Sequence, residues 1–124
     1  MKKIISTDKA PKAIGPYSQA IETENFVFIS GQLPVSVKEG CLGRTVSEQT
    51  QMALENIKSI LNEVGLTLNN VVKTTVFMTD LKKFDEMNKV YAQYFSTNPP
   101  ARATIEVRAL PKGASVEIEA IAVK

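Results

Sequence analysis

Apolar positions along the chain fall into two helical stripes set among short β-type runs. From Val46 to about Val64, Met52, Ala53, Ile57, Ile60, Leu61 and Val64 recur at helical spacing, which predicts a first helix. Thr45 or Ser47 with Glu48 supplies its start signal, and Gly65 its C-terminal stop. Phe84, Met87, Tyr91, Tyr94 and Phe95 form a second stripe, opened by Thr79-Asp80 and closed before Asn98-Pro99-Pro100. Strands are predicted at 3–6, at 20–23 and 26–31 as a hairpin around Glu24-Asn25, at 71–78, at 103–108 and at 115–123. The run FVFIS is continuously apolar and suits a buried strand, and Pro111-Lys112-Gly113 makes the last turn. The order β-β-β-α-β-α-β-β describes one α+β domain, residues 1–124, with both helices on one face of a sheet.

Side chains alternate across a strand, so the last two strands each divide into two sets. Val116, Ile118, Ala120 and Ala122 make an apolar set, as do Ala103, Ile105 and Val107, and both are expected to face the core. Glu117, Glu119 and Ile121, with Arg102, Thr104, Glu106 and Arg108, fall on the opposite sides. That mixture of charged and apolar residues suits an open solvated face or a wet subunit interface.

Composition narrows the chemistry. Fifteen Lys and Arg against thirteen Asp and Glu leave a net charge of +2, and the charges are interspersed, so a nucleic-acid partner is not indicated. The chain has no histidine, which excludes Ser-His-Asp and Cys-His nucleophiles, His-based metal sites and paired-His ribonuclease chemistry. Cys41 is the one cysteine and cannot form an internal disulfide or a thiolate cluster. The start MKKIISTDKAPKA lacks the apolar stretch of a leader, and no run approaches a membrane span, so a reduced cytoplasmic setting is expected. Catalysis would have to run on carboxylates, Arg, Lys, Tyr, hydroxyls, backbone amides and water.

Within that inventory, Arg102 and Thr104 lie on a strand that could pair with the one carrying Glu117 and Glu119. An arginine fork takes a carboxylate bidentately, and a nearby carboxyl group can orient or deprotonate water. The same four residues would equally make a cross-strand ion pair on a solvated face. Tyr17 and Ser18 follow Gly15-Pro16 and could close over a ligand or pack a loop. Ser30-Gly31 ends the FVFIS strand, where glycine permits close approach of a backbone or ligand and also simply ends a strand. Asn88 falls in line with Phe84 and Tyr91 and needs a polar partner, such as a neighbouring loop. Asp80, Asp85 and Glu86 suit helix caps rather than a metal site. Neither a metal nor a phosphate loop is indicated.

At these residues the chain resembles the RidA family, also called YjgF or L-PSP, the reactive intermediate imine deaminases. The blocks carrying the resemblance are AIGPYSQA at 13–20, FVFISGQLP at 26–34, QTQMALENIKSIL at 49–61, VVKTTVFMTDL at 71–81, MNKVYAQYF at 87–95 and PPARATIEVRALPKGASVEIEAIA at 99–122. The resemblance implies a chorismate-mutase-like subunit in a homotrimer, with helices outside, sheets forming a central barrel and sites in the clefts between subunits. It implies a cofactor-independent 2-iminobutanoate/2-iminopropanoate deaminase acting on imine acids derived from 2-aminoacrylate, and releasing 2-oxo acids and ammonia. Carried over by position, Arg102 binds the substrate carboxylate and Glu117 positions or activates water. Tyr17, Ser30, Gly31 and Asn88 complete the site, with Phe84 as an apolar wall. Thr104 departs from the family pattern, since many bacterial members carry cysteine there, and so puts thiol-based regulation in doubt. The alternatives are an endoribonuclease or translation inhibitor, a label given to some relatives, and a non-catalytic trimer binding small 2-oxo acids in the same clefts.

Overall fold

A computed structural model describes all of residues 1–124. In chain order the elements are β1 (Lys3–Ile5), β2 (Ala20–Glu22), β3 (Phe26–Gln32), α1 (Val46–Glu63), β4 (Val71–Met78), α2 (Phe84–Tyr94), β5 (Ala101–Glu106) and β6 (Val116–Val123). Short 3₁₀ turns at Leu68–Asn70, Leu81–Lys83 and Pro111–Gly113 connect them. The strands form one six-stranded sheet in the order β1-β2-β3-β6-β4-β5. Every pairing is antiparallel except β4 with β5, which the α2 crossover joins in parallel. Both helices cover one face, as expected.

Local chemistry explains the boundaries of α1. The Thr45 side chain accepts from the Glu48 N–H at the start. At the end Gly65 takes φ +75°, and the N–H groups of Gly65 and Leu66 donate to the carbonyls of Asn62 and Leu61. This is the paired-bond glycine stop that returns the chain to the sheet. The second helix starts differently from the expectation. Asp80 caps the Leu81–Lys83 turn through the Lys82 N–H, and α2 begins only at Phe84. Glu86 is not a cap of its own helix. It accepts from the Ser47 N–H and hydroxyl at 3.0 and 3.2 Å and so ties α2 to the first turn of α1.

The core lies between helices and sheet. Leu54, Ile57, Ile60 and Leu61 of α1 and Met87 of α2 close over Val27, Val76, Met78, Val116 and Ile118, all fully buried. The alternation expected for β6 holds, with Val116, Ile118, Ala120 and Ala122 inside.

Three expectations are corrected. The strand carrying Arg102 spans 101–106 rather than 103–108, and it pairs with β4, not with β6. Its phase is also reversed. Register sets Arg102 opposite Thr74 and Thr104 opposite Val76, on the helix side, while Ala103 and Ile105 face away and Ile105 is 45% exposed. Period-two alternation separates two sets of side chains but does not say which set turns inward. At this edge strand, the packing of α2 decides it. The FVFIS run is likewise only half buried. Val27 and Ile29 point inward, while Phe26 and Phe28 lie exposed in mutual ring contact at 5.9 Å.

Buried amides fasten the loops to this frame. Gln49 lies in the first turn of α1; its Nε2 donates to the Gly43 carbonyl at 2.9 Å. Its Oε1 accepts from the Ser115 and Val116 N–H groups at 2.8 and 3.2 Å, at the start of β6. Removing it would strand three backbone groups in a dry setting. Gln49→Ala should therefore cost about 2–4 kcal/mol in urea unfolding. Gln49→Glu, which keeps an acceptor for the β6 N–H groups but sets a buried carboxylate against the Gly43 carbonyl, should also destabilise.

Candidate functional site

The residues singled out by sequence assemble as two separate clusters. The first gathers on the face that the helices leave open. Glu117 of β6 stands opposite Phe77 in register and shares that face with Glu119. The ladder between β3 and β6 slips between Ile29 and Gln32, which brings Gly31 against Glu117. A Cβ on Gly31 would collide with the Glu117 carboxyl group. Gly31 lies within β3 rather than ending it, and its missing side chain leaves room for the Glu117 carboxyl group in this position. Burial, with a smaller contribution from the Glu119 charge, pushes the Glu117 carboxyl above its ordinary pKa.

Ser30 joins this cluster to the loop before β2. Its hydroxyl donates to the Ser18 carbonyl at 2.6 Å, and its N–H donates to the Gln19 carbonyl at 3.0 Å. Gln19 is buried and fastens the loop from inside. Its Nε2 donates to the carbonyls of Thr7, Ala10 and Pro11, while its Oε1 accepts from the Thr7 N–H. Tyr17 stands at the outer end of this loop, 52% exposed, with only a long 3.3 Å hydrogen bond from the Ile14 N–H to its hydroxyl. Tyr17, Ser30, Gly31, Glu117, Glu119 and Lys112 line an open cleft of about 540 Å³. The sequence presents Lys112 only as a turn residue. Its φ of +60° between Pro111 and Gly113 is the feature that places it at the rim.

The second cluster surrounds Arg102 on the helix side of the sheet. Arg102 Nη1 donates to Asn88 Oδ1 at 2.8 Å. Its guanidinium carbon lies 4.6 Å from the Tyr91 ring centroid and 5.5 Å from that of Phe84. Asn88 thus finds the partner its place on an apolar stripe requires, and that partner is the arginine rather than a loop. No carboxylate pairs with Arg102; the one ion pair in the chain is Lys124–Glu22. Thr104, two residues along the same face, holds a buried hydroxyl with no hydrogen-bond partner. Tyr91, read from sequence only as core, is therefore also part of this cluster. Its signal was its place one turn beyond Asn88 and two beyond Phe84.

Arg102 and Glu117 do not meet. Strand β4 separates their strands, so their backbones stand roughly 10 Å apart laterally, and their side chains leave opposite faces. Neither the expected cross-strand ion pair nor a shared site exists within one chain. Within one chain Arg102 is a fixed cation with no carboxylate partner, and Glu117 is a carboxyl group lining an open cleft.

Known proteins share the sequence and the architecture throughout. The family model described as Endoribonuclease L-PSP matches residues 7–124. A RutC family protein of Pyrococcus horikoshii is 51% identical, the alignment covering all of this chain and 99% of that protein. The human protein named 2-iminobutanoate/2-iminopropanoate deaminase is 46% identical over all of this chain and 91% of its own length. Among solved structures, Escherichia coli TdcF, determined with bound serine, superposes with a TM-score of 0.95 at 44% identity, covering 98% of each chain. The Escherichia coli YjgF gene product gives 0.96 at 43% identity, again covering 98% of each chain. A family match over nearly every residue, full-length relatives and the same two-helix mixed sheet agree: this protein belongs to the Endoribonuclease L-PSP family, the RidA/YjgF group that includes the deaminases.

Proposed function

We propose that this protein is a cofactor-independent hydrolase, a 2-iminobutanoate/2-iminopropanoate deaminase, working as a cytoplasmic homotrimer. Each site would join the Arg102 cluster of one subunit to the Glu117 cleft of the next. The observation that carries this reading is the separation of a guanidinium with no carboxylate partner and a carboxyl group of raised pKa onto opposite faces, which a second copy would bring together. The exposed Phe26, Phe28 and Ile105 on the open face give that second copy an apolar surface to cover. The number three comes from the family likeness, and the substrate from the relatives' names.

The chemistry follows from the groups available. Arg102 takes the substrate carboxylate through its free N–H edge, while Asn88 holds one of its nitrogens. Phe84 walls the substrate side chain, and the unpaired Thr104 hydroxyl supplies a further hydrogen bond. Tyr17, Ser30 and the Gly31 backbone hold the polar end across the cleft. Glu117 takes a proton from water as its oxygen bonds to the imine carbon. It returns that proton to the nitrogen, giving a tetrahedral amino alcohol; as the C–N bond then breaks, the hydroxyl proton passes to the departing nitrogen and the C=O bond forms. One imino acid and one water give one 2-oxo acid and one ammonia. A carboxyl group whose pKa is raised toward neutrality both accepts and returns a proton more readily. Because such imines already react with water, positioning and proton transfer suffice.

Ammonia and 2-oxo acid release from 2-iminobutanoate, generated in situ by an amino-acid oxidase, tests the reading. Wild type should exceed the spontaneous rate, and Arg102→Ala and Glu117→Ala should each lose at least ten-fold of that acceleration. No acceleration by wild type, with 2-oxobutanoate still bound, would convert the reading into that of a binding protein. Co-expression of the two inactive chains offers a sharper check. If each site draws one cluster from each neighbour, random mixing restores function to about a quarter of the sites. A site contained within one subunit would leave the mixture inactive.

Protonation gives a third expectation. The folded pKa of Glu117 lies above its unfolded value, so the native state binds more protons between the two. The contribution of Glu117 to stability therefore falls as pH rises through that window. At pH 7 the Glu117→Gln protein should melt above wild type, and the gap should close as pH falls to about 4, near the unfolded carboxyl pKa. Paired thermal melts at the two pH values would show whether it does.

A further inference from the structure

The mechanism above uses the guanidinium of Arg102 but not the buried aromatic hydroxyl beneath it. Tyr91 is buried in the middle of α2, and its hydroxyl shares a 2.7 Å hydrogen bond with Thr74 Oγ1, itself fully buried on β4. Thr74 is also the register partner of Arg102 across β4 and β5. Three residues from three elements thus close a loop. The β4–β5 ladder sets Arg102 beside Thr74, Thr74 holds the Tyr91 hydroxyl, and the Tyr91 ring carries the Arg102 guanidinium at 4.6 Å. Phe95 packs against the same ring, with centroids 4.7 Å apart, and limits its freedom to turn.

We propose that Tyr91, locked by Thr74, is a positioning residue for Arg102: its ring face holds the guanidinium in the orientation that receives the substrate carboxylate. An arginine paired to an internal carboxylate would already have its bidentate edge occupied. A free arginine would have to lose rotamer freedom on each binding event. A ring face avoids both. It attracts the cation electrostatically without using its N–H donors. Asn88 engages a single nitrogen, Nη1, which leaves the other donors for an incoming anion. The Thr74 bond matters because an untethered ring on a helix could tilt, and the guanidinium would tilt with it.

The proposal rests on the carboxylate-binding reading of Arg102, and the test separates the two. The Nε–Hε resonance of Arg102 is followed by NMR alongside titration with 2-oxobutanoate, in wild type, Tyr91→Phe, Tyr91→Leu and Thr74→Val. Circular dichroism and sedimentation identify any variant that has lost fold or assembly. A ring face over the guanidinium shifts the Hε signal upfield, and that shift should vanish in Tyr91→Leu. Affinity for 2-oxobutanoate should fall about ten-fold in Tyr91→Leu, between the effects of an exposed and of a desolvated cation–π contact. Tyr91→Phe and Thr74→Val, which each keep the ring and break the hydroxyl tie, should lose two- to three-fold and match one another. In an Arg102→Ala background, Tyr91→Leu should cost no further affinity, whereas a merely structural role would be additive. Unchanged affinity in a folded Tyr91→Leu protein would overturn the proposal, as would an additive cycle. If wild type binds no 2-oxo acid, the carboxylate reading fails. The resonance shift then decides the platform alone, and its absence in wild type would overturn that too.

Discussion

Strand β6 enters the sheet between β3 and β4, and this one placement governs what the molecule can do. The last segment of the chain takes a central position, antiparallel to both neighbours, and pushes β5 to the edge. A central strand is covered on one face and exposes the other to whatever the sheet meets. Glu117 and Glu119 are thereby presented on the open face, backed by the buried Val116, Ile118 and Ala120. An edge strand beyond the main core is free to turn a polar set toward the helices. Arg102 can lie over α2 because nothing larger needs that space. Had β5 and β6 been neighbours, arginine and glutamate could have neutralised each other, and neither would be available to a ligand.

The two clusters keep their charges reactive by different means. Arg102 is held by groups of no net charge: an amide oxygen, two ring faces and, through Tyr91, a buried hydroxyl pair. Dipoles and quadrupoles orient a cation without cancelling it. Glu117 is treated in the opposite way. It receives no cation and no hydrogen bond within the chain, is partly withdrawn from water, and has Glu119 two residues along the same face. Each of these effects favours the protonated form. The glycine at position 31 lets backbone approach the carboxyl group so closely, and any side chain there would displace it.

Much of this was legible in the sequence, and the remainder fails for identifiable reasons. The helices announced themselves through spacing and caps, down to Thr45 and Gly65, because a helix signals within a few residues of its own length. The phase of β6 was equally plain, its apolar set being uninterrupted. The phase of β5 was not. Ala103 and Ile105 look like core residues, yet they line the open face, outside the subunit's own interior. Phe26 and Phe28 mislead in the same way. An apolar residue reads the same in the sequence whether it lies in the core or on the open face. Pairing was hidden for a different reason: β4 next to β5 is set by the α2 crossover, and no residue in either strand names its neighbour. The candidate residues could be named from the sequence, while their division between two faces could not.

That division changes what the polar residues of the fold are for. Gln19 makes four hydrogen bonds from its side chain to the loop that ends in Tyr17, and Gln49 makes three between the loop before α1 and the start of β6. Both are buried amides whose net worth to stability is modest, since water would have satisfied the same groups in the unfolded chain. Their value is geometric. If, as proposed, each site joins two subunits, it inherits the positional error of each half, and a shift of an ångström between Tyr17 and Glu117 would be carried undiminished to the arginine across it. Rigid loops behind Glu117 and a fixed guanidinium at Arg102 would then be one requirement met twice. Polar side chains meet it better than apolar ones because a hydrogen bond fixes direction as well as distance.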